Sequence, residues 1–432
     1  MYPIKFENLY YDKVWGGRDL EDFRENLPEG NIGESWDIAC HENGTGIVAN
    51  GKFKGMTFKE LIEKYNENIF GNAIKNNEFP LLVKLINSNE NLSVQVHPND
   101  EYARRVENSF GKTEAWYVVD AKEGAELIVG TNGCTKEQFE EAIKNNSVED
   151  CLNRIKVKKG DAFLINSGLV HAICSGLVIA EIQQNSDITY RVYDYGRPRE
   201  IHVEKSLEVI DFDLKPERLI EEFKSFDGYK YTNLCSSDYF IIDKCIINSK
   251  FNTSSENDKF SIITCVDGSG LINYKNGTEI VNKGDSILIP AQLGNYEIKG
   301  DIAIIGVPVY EEKVPKIVFE FLMKLHGNNV PVIIVGVYGN MAEGIVLNEL
   351  KTITENTGFK VVAAATFVGE HSFSSNKVPL AQNYPNEKEL KEAEKFGQDI
   401  MIKMHKLKEL NDVKLDIPQG KLLFMAKAAP KK

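Results

Sequence analysis

The amino-acid sequence predicts a mainly β protein with a small α/β segment near its C-terminal end. Short apolar runs separated by Gly, Asn and Asp turn signals fill most of residues 79–308, which is typical of antiparallel sandwiches and barrels. One strand motif occurs twice, as KGDAFLIN at 159–166 and as KGDSILIP at 283–290. This echo indicates two related β units in tandem.

The N-terminal half mixes strands with two helical segments. Residues 57–76 are predicted to form a helix that opens with Thr57 and carries Glu60 three residues later, which is the capping-box pattern. The runs FPLLVKLI (79–86) and NLSVQVHP (91–98) are predicted strands around an NSNEN turn. A second helical segment is expected at 135–153, before further strands.

Strand and helix patterns alternate from about residue 311 onwards. The apolar runs VPVIIVGVYGN (330–340) and FKVVAAATFVGEHS (359–372) are typical of buried parallel strands. Helical patterns precede, separate and follow them. We therefore predict three domains at residues 1–215, 216–310 and 311–432, of which the last is α/β.

Composition and charge exclude several classes of protein. The chain has 432 residues and a formal net charge of −13, which argues against non-specific binding to nucleic acid. No apolar segment approaches the roughly 18–20 residues that span a bilayer, and the N-terminal residues hold no apolar signal-peptide core. Seven scattered cysteines without a CxxC pair fit reduced thiols better than a disulfide framework. The sequence thus predicts a cytoplasmic protein that binds neither nucleic acid nor membrane.

Three strand-rich segments of the first β unit carry side chains that suit a metal ion. Gln95 and His97 alternate with valines on one strand, Glu114 lies in GKTEAWY, and His171 lies in SGLVHAI. Each residue alone is better explained by a surface charge or by a structural histidine. Together, two imidazoles, a carboxylate and an amide oxygen suit Zn²⁺ or another divalent transition metal.

Seven motifs, in order along the chain, carry a resemblance to a known family. They are YYDKVWGG (10–17), GESWDIACH (33–41), FPLLVKLI (79–86), LSVQVHPND (92–100), GKTEAWYVVD (111–120), VKKGDAFLINSGLVHAI (157–173) and EIQQNSDITYRVYDYGR (181–197). Over about residues 1–310 the chain resembles type I mannose-6-phosphate isomerases of the short bacterial kind. The resemblance implies a tandem cupin, with a metal in the first jelly-roll barrel and none in the second. The implied ligands of a single zinc ion are Gln95, His97, Glu114 and His171.

The resemblance also implies which residues act on the substrate. The positions that match active-site residues of the family are Lys84, Lys112, Asp187 and Arg191. A sugar phosphate carries close to two negative charges, so an acidic protein needs local lysine and arginine to bind it. Asp187 and Arg191 lie four residues apart, and on one strand they would share a face.

The implied reaction interconverts mannose 6-phosphate and fructose 6-phosphate through a cis-enediol. It needs a group that stabilises the enediolate oxygen and a base that moves a proton between C2 and C1. Lys112, Asp187 and a metal-bound hydroxide are all candidates for that base. Two other functions also suit a metal-bearing cupin: an iron-dependent oxygenase, and a sugar-binding protein without catalysis.

Residues 313–410 resemble the C-terminal half of a flavodoxin-like domain. The matching stretches are VPVIIVGVYGNMAEG, GFKVVAAATFVGEHS and EKELKEAEKFGQ. The first strand and the loop that would hold the phosphate of FMN have no match, so we do not expect FMN. No cysteine follows residue 265, which excludes an iron–sulfur cluster there. His371 is explained equally well as a structural residue and as a ligand. Because a half-sheet has exposed edges, we expect a structural role, including self-association through this partial sheet.

Overall fold

The structure is a computed structural model of the chain. It describes residues 1–24, 26–74, 77–255, 257–300, 303–310, 312–325, 327, 330–340, 343–370, 374, 381–406, 413 and 415–420. The chain forms two compact units. The first comprises residues 1–224, 231–244 and 252–297, and the second comprises residues 225–230, 245–251 and 298–432.

Strands dominate the chain up to residue 300, as predicted. The first fourteen are β1 (Ile4–Lys5), β2 (Leu9–Gly17), β3 (Ile32–Ile38), β4 (Cys40–His41), β5 (Gly44–Thr45), β6 (Leu81–Ser88), β7 (Val94–Val96), β8 (Glu114–Ala121), β9 (Glu126–Thr131), β10 (Leu152–Lys156), β11 (Ala162–Ile165), β12 (His171–Ile173), β13 (Leu177–Gln184) and β14 (Tyr190–Tyr193). The next ten are β15 (Glu217–Arg218), β16 (Lys224–Phe226), β17 (Tyr229–Ser236), β18 (Ile241–Ile247), β19 (Lys250–Ser254), β20 (Ser261–Thr264), β21 (Ser269–Tyr274), β22 (Gly277–Asn282), β23 (Ser286–Ile289) and β24 (Asn295–Gly300). The helices of this part are α1 (Phe58–Phe70), α2 (Asp100–Val106), α3 (Lys136–Lys144) and α4 (Val203–Val209), with 3₁₀ helices at Asp19–Asp22, Gly51–Phe53 and Val148–Cys151.

Two antiparallel sheets build the first barrel. One has seven strands in the order β15-β11-β8-β13-β6-β3-β2, and the other has five in the order β10-β9-β12-β7-β14. Trp116 and Phe163 of the first sheet pack with Leu127 of the second in one buried cluster. Phe139 of α3 packs on the other side of the five-stranded sheet. Two sheets that share a core form the predicted sandwich.

Helix α1 begins where the capping box predicts. The Thr57 side chain accepts a hydrogen bond from the backbone N–H of Glu60, and the Glu60 carboxylate accepts one from the backbone N–H of Thr57. The helix ends at Phe70, before the predicted end at residue 76, because Gly71 adopts a φ of 60° that favours glycine. The helix predicted at 135–153 is the shorter α3, followed by a 3₁₀ helix and by the start of β10.

The repeated KGD motif forms the same turn at both of its occurrences. Gly160 has a φ of 95° and Gly284 a φ of 93°. The Asp161 carboxylate accepts a hydrogen bond from the backbone N–H of residue 158, and the Asp285 carboxylate accepts one from that of residue 282. A fully buried strand follows each turn, β11 in one case and β23 in the other. The turn and strand therefore support two related β units.

A parallel sheet forms the C-terminal part, as predicted. Its strands are β25 (Ala303–Pro308), β26 (Pro331–Tyr338) and β27 (Lys360–Val368), and its helices are α5 (Lys316–Leu322), α6 (Val346–Asn356) and α7 (Glu387–Lys406). Val332 and Ile334 of β26 pack with Leu350 of α6 in a buried cluster. His371 lies outside the described residues. Among the described helices, none is long and apolar enough to cross a membrane.

Strand β25 precedes the domain boundary predicted at residue 310, yet it belongs to the C-terminal sheet. It pairs in parallel with β26, with Ile305 opposite Ile334, and it falls in the second compact unit. An apolar run of this length suits an antiparallel and a parallel strand equally well, so its sequence does not reveal its partner. The division into three domains stays a prediction.

The expectation that the cysteines do not form disulfides is wrong for one pair. Cys134 and Cys151 form a disulfide, with their Cα atoms 5.7 Å apart. Cys134 lies just before Thr135, the N-cap of α3, and Cys151 ends the 3₁₀ helix that follows α3. The chain reverses between them, so a spacing that looks scattered in the sequence becomes a close contact.

Candidate active site

Neighbouring strands of the five-stranded sheet bring three predicted site residues into one row. Gln95 on β7 lies opposite His171 on β12 and opposite Arg191 on β14. Directly opposed residues point to the same face of a sheet. The Nε2 atom of Gln95 lies 3.4 Å from Nε2 of His171. All three side chains therefore start from one face.

Three of the predicted metal ligands converge between the two sheets. The Nε2 atoms of His97 and His171 are 3.1 Å apart. They lie 3.6 Å and 3.5 Å, respectively, from the two carboxylate oxygens of Glu114. The side chains of these three residues are almost completely buried. Within the part of the chain that the structure describes, they form the one group of His, Cys, Asp and Glu side chains close enough to hold a metal ion.

Backbone carbonyls orient both imidazoles toward this point. The Nδ1 atom of His97 lies 2.7 Å from the carbonyl oxygen of Ile188, and that of His171 lies 2.8 Å from the carbonyl oxygen of Leu169. An Nδ1–H that donates to a carbonyl leaves a lone pair on Nε2, which is the usual arrangement of a histidine that binds a metal. Burial lowers the pKa of His171 to about 4 and that of His97 well below its usual value. Both rings are therefore neutral at physiological pH.

The buried Glu114 carboxylate lacks hydrogen bonds from the described part of the chain. Neither oxygen accepts a hydrogen bond from any described residue. The Lys112 ammonium approaches one of them at 3.0 Å without the alignment of a hydrogen bond. A buried carboxylate without such bonds is costly unless it is paired or binds a metal. Two neutral imidazoles and this carboxylate fit a divalent metal ion, and backbone carbonyls orient the two imidazoles toward it.

Gln95 reaches the same point with its amide group. Its Nε2 atom faces His171, while Oε1 accepts a long hydrogen bond of 3.4 Å from the Ser93 hydroxyl. Rotation of the amide by half a turn exchanges the two atoms and brings an oxygen to the metal side. Gln95 as a fourth ligand stays a prediction.

Comparison with known proteins places the chain in a family. The models of the phosphomannose isomerase type I catalytic domain and of the mannose-6-phosphate isomerase cupin domain match residues 4–136 and 230–309. Mannose-6-phosphate isomerase ManA of Bacillus subtilis (strain 168) is 39% identical over 305 residues, which are 69% of this chain and 96% of that protein. The chain belongs to the type I mannose-6-phosphate isomerase family.

Two further relatives agree with this assignment. The mannose-6-phosphate isomerase of Streptococcus mutans is 37% identical over 311 residues, covering 70% of this chain and 97% of that protein. The crystal structure of mannose 6-phosphate isomerase from Bacillus subtilis superposes with a TM-score of 0.66 at 38% identity, over 69% of this chain and 97% of the other. The mainly β, tandem-cupin fold predicted from the sequence is therefore confirmed.

The isomerase fold also surrounds Lys84 with two carboxylates that the sequence did not single out. The Lys84 ammonium lies 2.9 Å from Glu181 and 3.6 Å from Glu34. Burial lowers the pKa of Lys84, but the carboxylates of Glu181 and Glu34 outweigh burial and raise it. Burial raises the pKa of Glu34, yet the charges of Lys84 and Lys13 and a hydrogen bond from Trp36 outweigh it, and the pKa falls to about 2. Lys84 is thus a buried, protonated ammonium.

Glu181 connects Lys84 with Lys112. Its Oε1 atom lies 2.9 Å from the Lys84 ammonium and 3.9 Å from the Lys112 ammonium, and Lys112 in turn pairs with Glu114. Glu181 opens the motif EIQQNSDITYR, and its place directly opposite Lys84 depends on strand register. Its position in a family motif was the one signal in the sequence that could have revealed it.

The expectation that Asp187 and Arg191 share a face of one strand is wrong. Strand β14 begins at Tyr190, and Asp187 lies in the loop before it. Asp187 accepts a hydrogen bond from Asn43 and lies 3.7 Å from the His41 ring, with 45% of its side chain exposed. Strand β13 ends at Gln184, and a loop leads from there to β14. The spacing of four residues therefore does not place Asp187 and Arg191 on one face of a strand. A catalytic role for Asp187 stays a prediction.

Proposed function

We propose that this chain is a metal-dependent aldose–ketose isomerase that interconverts mannose 6-phosphate and fructose 6-phosphate through a cis-enediol. The observation that carries the proposal is the buried His97, Glu114 and His171 cluster with two buried lysine ammonium groups beside it. This arrangement lies in a chain that spans nearly the full length of isomerases at 37–39% identity. Their activity is the reaction that we assign to this site.

The chemistry divides between the metal and the charged side chains. A divalent ion bound by His97, Glu114 and His171 supplies a Lewis acid that favours negative charge on the substrate oxygens; we propose zinc, because nitrogen and carboxylate ligands suit it. Lys112 is only 4% exposed, and its ammonium group lies next to the Glu114 carboxylate. In a site that excludes water, a fixed ammonium stabilises developing oxyanion charge far better than in solution.

Proton transfer between C2 and C1 requires one group that removes the proton and returns it. Asp187 is the side chain that we propose for this step, and Lys112, Lys84 and Arg191 are the cationic groups that we propose to bind substrate oxygens. Lys84 is protonated and paired with two carboxylates, which suits a hydrogen-bond donor and not a base. The sugar phosphate binds through the cationic groups that face the barrel interior.

We expect chelation to remove the activity. Prolonged treatment with EDTA should lower turnover of mannose 6-phosphate by about 10³-fold, and added Zn²⁺ or Co²⁺ should restore it, because the three converging ligands hold the ion that the reaction needs. The measurement is a coupled assay of fructose 6-phosphate formation together with metal analysis. Full turnover in protein shown to be free of metal would refute the metal-dependent mechanism. Bound metal without any isomerisation would favour a sugar-binding protein, and turnover with iron and 2-oxoglutarate would favour an oxygenase.

A cytoplasmic location stays a prediction. The phosphorylated substrate that we propose supports it. The Cys134–Cys151 disulfide weighs against it, because disulfides are rare in the cytoplasm.

We also propose that the C-terminal sheet mediates self-association. Strand β25 pairs with β26 alone among the described strands, and Ile304 on β25 is 71% exposed. An open apolar edge is a ready site for pairing with another strand. We expect the chain to sediment as a dimer and an Ile304→Lys variant as a monomer, whereas Val14→Lys, at a position 61% exposed in the first unit, should remain dimeric. A wild-type monomer would contradict the proposal.

A further inference from the structure

A row of four side chains crosses the seven-stranded sheet that also carries Glu114. Trp36 on β3 lies opposite Lys84 on β6, Lys84 lies opposite Glu181 on β13, and Glu181 lies opposite Trp116 on β8. Directly opposed residues share a face, so the lysine and its carboxylate stand between two tryptophans. All four residues are buried.

Each tryptophan donates its indole N–H to a carboxylate that faces Lys84. The Nε1 atom of Trp116 lies 2.9 Å from Oε2 of Glu181. The Nε1 atom of Trp36 lies 2.7 Å from Oε2 of Glu34. Glu181 uses its other oxygen to contact Lys84 at 2.9 Å, and Glu34 approaches Lys84 at 3.6 Å. The two indoles therefore hold the two carboxylates from opposite ends of the row.

The indoles have properties that a positioning group needs. A tryptophan has two side-chain torsions and a wide ring, so packing fixes its N–H direction well, whereas a glutamate has three torsions and can turn away from its partner. Trp116 also packs its ring edge-on against the His171 ring, with centroids 5.4 Å apart. A hydrogen bond to a carboxylate is also about twice as strong as one between neutral groups. Together these contacts orient the two carboxylates that flank Lys84.

We propose that Trp36 and Trp116 are positioning residues that fix Glu34 and Glu181 and thereby hold the Lys84 ammonium in place for the isomerisation. This inference rests on the function proposed above. The tryptophans do not touch substrate in this account; they act through the carboxylates. The catalytic benefit is that Lys84 does not have to be reoriented when charge develops on the substrate, which is the advantage of a preorganised site.

Phenylalanine variants separate the N–H from the ring. Trp36→Phe and Trp116→Phe keep an aromatic ring but remove the donor. We expect each to lower kcat about tenfold, the size typical when a partner that orients a site residue is lost, with KM changed less than twofold and metal content unchanged. Trp15→Phe is the matched control, because Trp15 is the remaining tryptophan of the chain and is buried in the same barrel. Its indole N–H donates to no carboxylate among the described residues. This variant should change kcat less than twofold.

A second measurement follows Lys84 without using activity. Reductive methylation with formaldehyde and a borane, read by peptide mass spectrometry, reports how accessible each lysine amine is. We expect Lys84 to be methylated at least fivefold faster in Trp36→Phe and Trp116→Phe than in the wild type, while Lys112 and the exposed Lys122 change little. General loosening of the barrel would accelerate Lys112 as well.

The outcomes distinguish this inference from the proposed function. If the wild type isomerises mannose 6-phosphate but both variants keep its kcat and its Lys84 methylation rate, the positioning role is wrong. Equal acceleration of Lys84 and Lys112 would also overturn it, since the variants would then act by loosening the fold. If the wild type shows no isomerisation but Lys84 alone is released in the variants, the proposed function fails and the structural role of the two indoles stands.

Discussion

Alanine in place of His97 or His171 is expected to abolish metal binding and to lower kcat/KM for mannose 6-phosphate by more than about 10³-fold. Each histidine supplies one of the three converging ligand atoms. Alanine removes that ligand atom and leaves two ligands in the cluster. Metal stabilisation of a developing oxyanion contributes several kcal/mol, and each 1.36 kcal/mol corresponds to a factor of ten in rate. The double variant should likewise contain no bound metal.

The matched reference for these variants is the wild type after chelation. The His97→Ala and His171→Ala proteins should resemble it in residual activity and in their circular dichroism, because the two buried apolar clusters that hold the sheets in place do not include the metal ligands. Added Zn²⁺ should rescue the chelated wild type and leave the variants inactive. Stoichiometric zinc in the double variant would place the metal at a different site.

The metal ligands could be predicted because local sequence carries them. The alternation of Gln95 and His97 with valines marks one face of a strand, and the structure places Val94 and Val96 in the core on the opposite face. Glu114 and His171 lie on other strands, and their convergence with His97 was inferred from residue type and from a family resemblance. Short-range periodicity and chemistry therefore indicated a metal site, and the family resemblance supplied the set of ligands.

The charge pairs around Lys84 could not be predicted in the same way. Glu34 and Glu181 lie far from Lys84 in the sequence, and the register of three neighbouring strands brings them together. Register follows from which face of each strand is buried and from the turns that connect the strands. A single sequence shows which residues alternate, but it does not show which residue stands opposite which.

Two further differences have the same origin. Cys134 and Cys151 meet because the chain reverses around α3. Strand β25 pairs in parallel with β26, which follows it in the sequence, and not with the antiparallel strands that precede it. In both cases a contact between residues distant in the sequence determines the structure. The local patterns, cysteines far apart and an apolar run, do not reveal that contact.

Replacement of Arg191 by lysine is expected to lower kcat/KM by about 10²-fold. Arg191 lies opposite Gln95 in the sheet register, and Gln95 lies opposite His171, so its side chain starts from the face that carries the metal ligands. One of its terminal nitrogens donates a 2.8 Å hydrogen bond to the carbonyl oxygen of Glu200, which anchors the group. Its Nε is buried and has no partner among the described residues.

That unpartnered N–H is the reason for expecting a role in catalysis. A guanidinium presents a planar fork of donors that an ammonium cannot reproduce, and a buried donor without an acceptor carries an energetic cost that a bound anionic oxygen would relieve. Burial lowers the pKa of Arg191, but a guanidinium keeps its charge in proteins. The loss of one well-placed donor to a developing oxyanion costs roughly 3 kcal/mol, which corresponds to about 10²-fold in rate.

The division of the effect between kcat and KM identifies which oxygen Arg191 binds. A contact that forms with the enediolate strengthens in the transition state, so Arg191→Lys would lower kcat more than it raises KM; a contact with the phosphate alone acts equally in the ground state and would appear in KM. Metal content should stay unchanged in either case. Arg218→Lys, at a half-exposed arginine on β15 that pairs with Asp161, is the control and should retain wild-type kinetics. Wild-type kinetics in Arg191→Ala would show that this arginine is structural, and the cationic groups that bind the sugar phosphate would then be Lys84 and Lys112 alone.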